Sequence, residues 1–565
     1  MKKLIAAALF LAPLPAALLS AAATPAAAQG VVSAADPRAT AAGQEILRQG
    51  GSATDAAIAM LLALNVVEPQ SSGIGGGGFI VHHGGATGAL DTIDGRETAP
   101  AAARPDRFLG ADGKPRPFIE IWPGGYSVGV PGSLRLAERA HAKWGKLPWA
   151  ALFAPAIKLA DEGFVVNARL AGALKQVAPV WKDFPAMRAL YWRDGRPLAE
   201  GETFRNPAMA AILRRIAAEG PQAFYAGDNA KAVADAVTNA PKNPVPLTEG
   251  DLAGYVAKDR PGVCGPYRSW TVCGMGPPSS GGLSVLQILT MVERFPLATW
   301  GKDDARSWQV IGEAMRLAYA DRDLYEADRD FVDVPVAGLL DRDYLKRRSA
   351  LISVTKARGH YEPGIPPGAP TRTRATPGEL GGTTHFVAVD TAGDIVSWTN
   401  TVESAFGSQL TANGYVLNNE LTDFSHAPVG PDGDLVANRV QPGKRPMSSM
   451  SPTIVYDRSG KPVFAIGAAG GRTIIMQIAK ALIAHFDWGL SAQDAIALGL
   501  VFFDKDGLVL EQGTTLEAMK APLEARGQHV TLGRLGLKAN AAERLPDGRW
   551  IGAADPRSPG NSLQQ

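Results

Sequence analysis

Cysteine is scarce in this chain of 565 residues, which contains only Cys264 and Cys273. This scarcity excludes a scaffold held by many disulfides and a zinc site built from two cysteine pairs. The chain also has no large excess of positive or negative charge, because it contains 57 lysines and arginines and 55 aspartates and glutamates. The balance argues against a nucleic-acid groove and against a polybasic membrane patch.

Long apolar runs are missing after residue 28. Residues 56–64 form an apolar run, but they are too few to cross a bilayer and are typical of a core helix. We therefore expect no stable membrane anchor in the mature protein.

The first 28 residues have the pattern of a secretory signal. Lys2 and Lys3 form a charged start, an alanine-rich apolar centre follows at residues 4–19, and three alanines precede Gln29. A buried helix or a membrane anchor is the alternative, but two prolines interrupt the apolar centre. We predict a mature start near Gln29 and a periplasmic or secreted location.

Cys264 and Cys273 lie in the segment CGPYRSWTVC. If its centre forms a hairpin turn, the two thiols face each other across short strands, and an exported protein can keep a disulfide there. Two separate thiols are the alternative. The pair is a poor candidate for a metal site, because no second ligand pair with matching spacing accompanies it.

Helix and glycine signals open the mature chain. Ser52 and Asp55 have capping-box spacing before an apolar run, which predicts a buried helix from about Ala53 to just before Pro69. The segment SSGIGGGGFIVHH then predicts a glycine-rich turn into a strand. Its glycines lack the Lys-Ser/Thr of a phosphate loop, so they favour close backbone packing over direct ligand contact.

The pattern changes near residue 382. The apolar spacing of residues 134 to about 354 predicts a mainly helical region. Residues 359–382, rich in proline, glycine and threonine, predict an exposed, flexible tether. Two hairpins follow, THFVAVD-TAGD-IVSWTNT and PTIVYD-RSGK-PVFAIGAAGG, and the second leads into an apolar helix. We expect a helix-rich first part to meet a strand-rich second part.

Thr383 opens the first hairpin, directly after Gly381 and Gly382. A threonine hydroxyl is a weak nucleophile that needs an adjacent base, and the α-amine of a chain-terminal threonine is one such base. The pKa of an α-amine, about 8, lets it accept and return a proton near neutrality. A cut between Gly382 and Thr383 would therefore create nucleophile and base in one residue. An ordinary strand start is the alternative, because β-branched residues favour strands.

Eight motifs spread over nearly the whole mature chain resemble those of the γ-glutamyltransferases. The γ-glutamyltransferases are N-terminal-nucleophile enzymes, each made as one precursor that cuts itself into a large and a small subunit. The motifs are SGIGGGGF (72–79), DGRETAP (94–100), PPSSGG (277–282), TTHFVAVD (383–390), LNNELTDFS (417–425), KRPMSSMSPT (444–453), AAGGRTI (468–474) and ADPR (554–557). The resemblance implies an α+β fold, a four-layer αββα sandwich formed jointly by a large subunit of residues 29–382 and a small subunit of residues 383–565.

The resemblance also implies catalytic roles. Thr383 would be the nucleophile of self-cleavage and of turnover, and Thr401 would hydrogen-bond to it and assist its reactivity. Gly470 and Gly471 would supply the backbone N–H donors that stabilise a tetrahedral oxyanion, a task that suits a strand-to-helix turn. The implied chemistry needs no metal and no organic cofactor.

A γ-glutamyl group has a free carboxylate and a free ammonium, so a selective pocket needs charges of both signs. Arg96 matches the family arginine that holds the carboxylate, helped by the hydroxyls of Ser448 and Ser449. The residues that match the ammonium-binding positions are Glu403, Glu420 and Asp423. Taken singly, each of these charges would more often be a solvated surface group.

The implied reaction is attack of Thr383 on the γ-amide of glutathione or a related γ-glutamyl compound. The glutamyl group would then pass to water or to an amino-acid or peptide acceptor. The large and small fragments of one precursor would remain together as a heterodimer.

Several departures from the family pattern indicate a divergent subgroup. Glu403 and Glu420 stand where many members carry Asn and Gln, and so much negative charge disfavours a substrate carboxylate. The segment 426–443 is short and lacks the aromatic lid motif of many members, so we expect a more open pocket. Residues 499–507 lack the usual Pro-Arg-Phe pattern.

Two other functions remain open at this stage. Cephalosporin acylases share the precursor architecture and cut a dicarboxylic acyl chain from a β-lactam, but Arg96, the paired serines and the three acids favour glutamyl recognition. A catalytically inactive exported binding protein is the second alternative, and the intact Thr383, Thr401 and glycine pair argue against it.

Overall fold

The computed structural model describes residues 29–373, 381–504 and 507–565. The predicted signal, residues 1–28, and residues 374–380 of the predicted tether lie outside these ranges. In the described part of the tether, Tyr361 is buried and donates to Glu313, and the N–H of Gly364 donates to Asp321 at 2.8 Å. This part of the segment is therefore attached to the helical layer and is less exposed than its composition predicts.

Two sheets form the centre of the molecule. Their strands are β1 (Val31–Ala34), β2 (Gly77–His83), β3 (Leu90–Gly95), β4 (Lys258–Arg260), β5 (Val263–Tyr267), β6 (Trp270–Gly274), β7 (Thr384–Val389), β8 (Ile395–Thr401), β9 (Thr453–Tyr456), β10 (Pro462–Ala469), β11 (Lys538–Arg544), β12 (Trp550–Ala554) and β13 (Asn561–Gln564). The seven-stranded sheet has the order β13-β1-β7-β8-β2-β3-β4, and the six-stranded sheet has the order β12-β11-β10-β9-β6-β5. All neighbouring strands in both sheets are antiparallel.

Helices cover the outer faces of both sheets. The helices of eight or more residues are α1 (Pro37–Arg48), α2 (Ala53–Val67), α3 (Ser133–Trp144), α4 (Ala154–Glu162), α5 (Ala168–Val177), α6 (Pro207–Glu219), α7 (Gly227–Thr238), α8 (Gly281–Val292), α9 (Ala305–Tyr325), α10 (Arg342–Ser349) and α11 (Thr473–Phe486). Shorter helices lie at Phe118–Ile121, Pro185–Tyr191, Gln222–Tyr225, Glu249–Ala253, Leu297–Trp300, Val336–Leu339, Ala492–Ala497 and Lys520–Glu524. Single 3₁₀ turns lie at Gly125–Ser127, Trp149–Phe153, Val180–Asp183, Glu420–Asp423 and Thr515–Met519.

The hydrophobic pattern explains the layers. Along β7, Phe386 and Ala388 face the core beneath α1 and α2, whereas Val387 and Val389 face the core shared with the six-stranded sheet. The helices α8, α9 and α11 close that second core from outside. The predicted four-layer αββα sandwich is confirmed.

Several short strands form small sheets outside the two central sheets. They are Phe164–Val165 with Thr203–Phe204, Trp192–Arg193 with Arg196–Pro197, and Thr411–Ala412 with Tyr415–Val416, together with a three-stranded sheet of Val501–Phe503, Leu508–Glu511 and Val530–Gly533. None of the helices within the described ranges combines the length and apolar character needed to span a membrane.

Two local predictions are confirmed. The side chain of Ser52 caps α2 in a reciprocal capping box with Asp55, and every residue of α2 is buried. In the hairpin of β5 and β6, Cys264 lies opposite Cys273, and the two form a disulfide.

The glycine-rich segment before β2 packs directly on the chain. A Cβ at Gly75 would lie 2.0 Å from the carbonyl oxygen of Val416, and one at Gly76 would lie 1.9 Å from that of Thr401. The absence of side chains therefore lets this turn support the end of β8, as the sequence predicts.

Candidate active site

Thr383 and Thr401 lie side by side at one end of the seven-stranded sheet. Thr383 directly precedes β7, Thr401 ends β8, and Thr384 pairs with Asn400 in the antiparallel register. The Thr383 hydroxyl donates to the Thr401 hydroxyl at 3.2 Å, and the N–H of Glu403 donates to the same Thr401 oxygen at 2.7 Å. Thr401 is thus held where its oxygen can orient the Thr383 hydroxyl.

The peptide bond before Thr383 lies in a confined backbone. Thr383 has a φ of +128°, which a β-branched residue rarely adopts and which costs on the order of 1–3 kcal/mol. A Cβ at Gly382 would lie 1.7 Å from the carbonyl oxygen of Glu403, so only glycine fits there. Gly381 is less confined, because the nearest atoms to its Cβ would be in Gly470 at 3.4 Å.

Gly470 and Gly471 form the turn from β10 into α11. Their φ values are +133° and +57°, which glycine adopts without strain. The carbonyl of Gly470 accepts from the Thr473 N–H at 3.2 Å and from its hydroxyl at 2.8 Å, which fixes the turn. Gly471 borders one cavity beside Thr383, and Gly470 borders another.

The structure brings the predicted binding residues together in one pocket, here called the charged pocket. Its lining includes Arg96, Thr383, Thr401, Glu403, Glu420, Asp423, Ser448, Ser449 and Gly471. Its free space is about 20 Å³, which is room for roughly one water molecule. The more open pocket expected from the short segment 426–443 is not found in this structure.

Ion pairs between the pocket's own side chains keep it narrow. The guanidinium of Arg96 donates to the carboxylates of Glu420 and Asp423, and it also donates to the carbonyl of Met447 at 2.9 Å. Burial alone would lower the pKa of Arg96, but Glu420 and Asp423 raise it above its ordinary value. The sequence predicts these charges at opposite ends of a substrate, whereas here they contact each other because buried charges need partners.

The acids outnumber the bases around the charged pocket. Burial raises the pKa of Glu97, which lies next to Arg96, to about 8. Burial also raises the pKa of Glu420 well above its ordinary value, although Arg96 opposes that shift. Glu97 and Glu420 therefore keep a proton to higher pH than exposed carboxyls do, which reduces the negative charge around Arg96. Within the described ranges, no group of three His, Cys, Asp or Glu side chains is arranged to hold a metal ion.

Arg322 supports the serine side of the pocket, and the sequence motifs do not indicate it. From α9 its guanidinium donates to the hydroxyl of Ser449 at 2.9 Å and to that of Ser280 at 2.8 Å. The hydroxyl of Ser280 in turn donates to the carbonyl of Ser448 at 2.7 Å. No signal in the sequence singles out Arg322, because α9 carries several other charged residues.

A second cavity lies on the other side of Thr383. Its lining includes Gln70, Arg169, Gln176, Gly382, Thr383 and Gly470, and its free space is about 190 Å³. The sequence motifs predict no role for Gln70, Arg169 or Gln176. Thr383 borders both cavities, so a group bound at its hydroxyl would have free space on two sides.

A threonine that starts a central strand of an αββα sandwich, after a glycine pair and beside a second threonine, defines the class of N-terminal-nucleophile hydrolases. A family model described as Gamma-glutamyltranspeptidase matches residues 39–564. The chain therefore belongs to the gamma-glutamyltranspeptidase family.

Individual relatives agree with this assignment. The chain is 40% identical over 480 residues to a glutathione hydrolase proenzyme of Bacillus subtilis, covering 83% of this chain and 79% of the relative. It is 38% identical over 541 residues to a glutathione hydrolase proenzyme of Escherichia coli, covering 94% and 90%. Among solved structures, a cephalosporin acylase from Bacillus halodurans is similar with a TM-score of 0.83 and 27% identity, covering 95% of this chain and 96% of that one.

Proposed function

We propose that this protein is a self-processing γ-glutamyltransferase that cleaves the γ-glutamyl amide of glutathione and related compounds. The observation that carries the proposal is the position of the Thr383 hydroxyl, 3.2 Å from that of Thr401, beside a buried pocket with charges of both signs. The names of the relatives from B. subtilis and E. coli, glutathione hydrolase proenzymes, support both the substrate and the processing.

The first step is self-cleavage between Gly382 and Thr383. The Thr383 hydroxyl attacks the Gly382 carbonyl, the C–N bond breaks, and the Thr383 nitrogen takes up the proton that the hydroxyl loses. Water then hydrolyses the resulting ester and frees the Thr383 hydroxyl. Cleavage releases the backbone strain at Thr383, since a chain terminus has no φ constraint.

The products are a large subunit of residues 29–382 and a small subunit of residues 383–565, held together as a heterodimer. An export signal at residues 1–28 would deliver the precursor to the periplasm or the exterior.

In turnover the new α-amine of Thr383 serves as base. It takes the hydroxyl proton while the Thr383 oxygen attacks the γ-carbonyl of the substrate, and the N–H groups of Gly470 and Gly471 stabilise the oxyanion. The amine passes its proton to the leaving nitrogen as the C–N bond breaks. Water or an amino-acid or peptide amine then attacks the ester, and its proton returns through the α-amine to the Thr383 oxygen.

Donor binding exchanges ion pairs in the charged pocket. The substrate carboxylate would take the guanidinium of Arg96, with the hydroxyls of Ser448 and Ser449. The substrate ammonium would take the acids that Arg96 releases, together with Glu403. Because the zwitterion supplies one charge of each sign, every buried charge keeps a partner. The pocket must widen as the side chains separate, since its present free space is about 20 Å³.

A cephalosporin acylase is the second candidate, because the solved acylase shares the fold over nearly the whole chain. A glutaryl group has no ammonium, so it would leave the acids of the charged pocket without a cationic partner. We therefore expect the γ-glutamyl substrate to be preferred.

Mass spectrometry of the purified protein, together with assays on glutathione and a glutaryl-cephalosporin, tests the proposal. We expect a fragment that begins at Thr383 and cleavage of glutathione. Thr383→Ala should remain one chain and lose turnover by about 10⁴-fold or more. If wild-type protein remains intact like the variant, self-processing is refuted, and an inactive binding protein becomes the better account. Cleavage of the glutaryl compound alone would favour the acylase.

A further inference from the structure

Arg169 lines the second cavity and lies beside a buried ion pair of Lys538 and Glu68. Lys538, at the start of β11, donates to both carboxylate oxygens of Glu68 at 2.9 and 2.8 Å. Both residues are buried. Arg169 approaches the same carboxylate at only 3.7 Å, and its side chain is 33% exposed. The single negative charge of Glu68 lies near two cations. Because Lys538 already donates to both of its oxygens, the positive charge of Arg169 is left to bind a ligand.

A buried amide faces the same space. Gln70 is 5% exposed and lines the second cavity, and neither its Oε1 nor its Nε2 has a hydrogen-bond partner. Its backbone is fixed, because its carbonyl accepts from the N–H of Phe406 at 3.2 Å. Leaving a buried amide without partners is unfavourable, and a ligand with a donor and an acceptor would satisfy both of its polar groups.

One face of α5 completes the lining of this cavity. Arg169, Ala173 and Gln176 are spaced as neighbours along a helix face, and all three line the second cavity. Together with Gln70, this face presents a guanidinium and two amides, which match a carboxylate and a peptide group.

We propose that the second cavity binds the part of the substrate that leaves Thr383 and the acceptor that later replaces it. Arg169 binds the free carboxylate of that peptide or amino acid, and Gln70 binds its peptide group. The inference rests on the proposed function, because an acyl group at Thr383 that extends into the charged pocket leaves its amine side toward the second cavity. Gly382 lines that cavity, so the α-amine created by cleavage lies where it can exchange a proton with the amine there.

Glutathione and its analogue with a carboxamide in place of the glycyl carboxylate provide the test. The ratio of their kcat/KM values isolates recognition of that carboxylate and cancels any general change in activity. We expect wild-type enzyme to prefer glutathione by about tenfold, as for one partly exposed charge-assisted contact. Arg169→Gln should bring the ratio close to one, and Arg169→Lys should restore part of it.

Lys175→Gln is the matched control, because Lys175 is exposed on the same helix outside the cavity lining. We expect it to keep the wild-type ratio. A wild-type ratio near one, or an unchanged ratio in Arg169→Gln, would overturn the subsite while leaving the proposed function intact. Failure of wild-type enzyme to cleave a γ-glutamyl anilide, which lacks the peptide carboxylate, would overturn the proposed function and the subsite with it.

Discussion

The two cavities beside Thr383 differ in charge, burial and space. In the charged pocket, Arg96 is bound by the buried acids Glu420 and Asp423, and the free space is about 20 Å³. In the second cavity, Arg169 is partly exposed and only loosely paired, and the free space is about 190 Å³. The charged pocket is therefore closed by its own ion pairs, whereas the second cavity is open and contains a cation, Arg169, that is only loosely paired.

Under the proposed function, this difference predicts how selectivity is divided around Thr383. A ligand enters the charged pocket only if it replaces both members of a buried ion pair, which a zwitterionic glutamyl group does and a simple acid does not. A ligand in the second cavity needs to satisfy only one half-exposed cation and a few amides. We expect strict recognition of the acyl group and tolerant recognition of the amine.

Among the changes that test this comparison, we expect the largest effect at Gly382, next to Thr383. Gly382→Ala places a Cβ 1.7 Å from the carbonyl oxygen of Glu403, so the bond before Thr383 must move. We expect self-cleavage to slow by about 100-fold or more, measured as fragment formation over time on denaturing gels. Gly381→Ala is the control, since its Cβ meets Gly470 at an ordinary 3.4 Å. Equal rates for the two variants would show that this confinement does not position the bond.

A matched change of arginine to lysine on each side measures the contrast directly. Arg96→Lys keeps the charge but loses the fork that spans Glu420 and Asp423, and we expect kcat/KM for a γ-glutamyl anilide to fall by about 100-fold. For Arg169→Lys we expect a loss of only a few fold with glutathione. An equal or larger loss at Arg169 would contradict the division of selectivity proposed above.

The smallest effect concerns stability and pH on the charged side. Because burial raises the pKa of Glu97 from 4.5 to about 8, the folded state binds more protons than the unfolded state between these pH values. The free energy of unfolding should therefore fall as pH rises from 5 to 8, and in Glu97→Gln this fall should be about 2–5 kcal/mol smaller.

Urea unfolding of both proteins in a Thr383→Ala background, which keeps a single chain, measures this difference. Glu45→Gln, at an exposed position on α1, should leave the fall unchanged. If Glu97→Gln behaves like Glu45→Gln, the carboxyl of Glu97 does not carry a proton into the folded state.

Much of the fold and of the charged pocket could be predicted from the sequence. Capping at Ser52, the two hairpins and the αββα layers follow from local patterns and from motif resemblance. The residues that the motifs predict to bind substrate line one pocket.

What the sequence did not predict depends on three-dimensional contacts. The pairing of Arg96 with Glu420 joins residues 324 positions apart, and no spacing rule connects them. Arg322 and Gln70 belong to a helix and a turn with no chemical motif. Only the folded chain brings Arg322 to Ser449 and Gln70 to the cavity beside Thr383. The narrow pocket was missed for the same reason, because the length of segment 426–443 says nothing about ion pairs beneath it.

The strand order described above has a consequence for assembly. β7 and β8, which follow Thr383, lie between β1 and β2, which precede it, and β13 pairs with β1 from the other side. Separating the two proposed subunits would thus break the backbone hydrogen bonds between β1 and β7 and between β8 and β2, in the middle of the seven-stranded sheet. Fragments synthesised apart would each have to fold with a gap in the sheet, so we expect the two halves to fold as one polypeptide before the proposed cut. The proposed cleavage would then act on a sheet that has already formed.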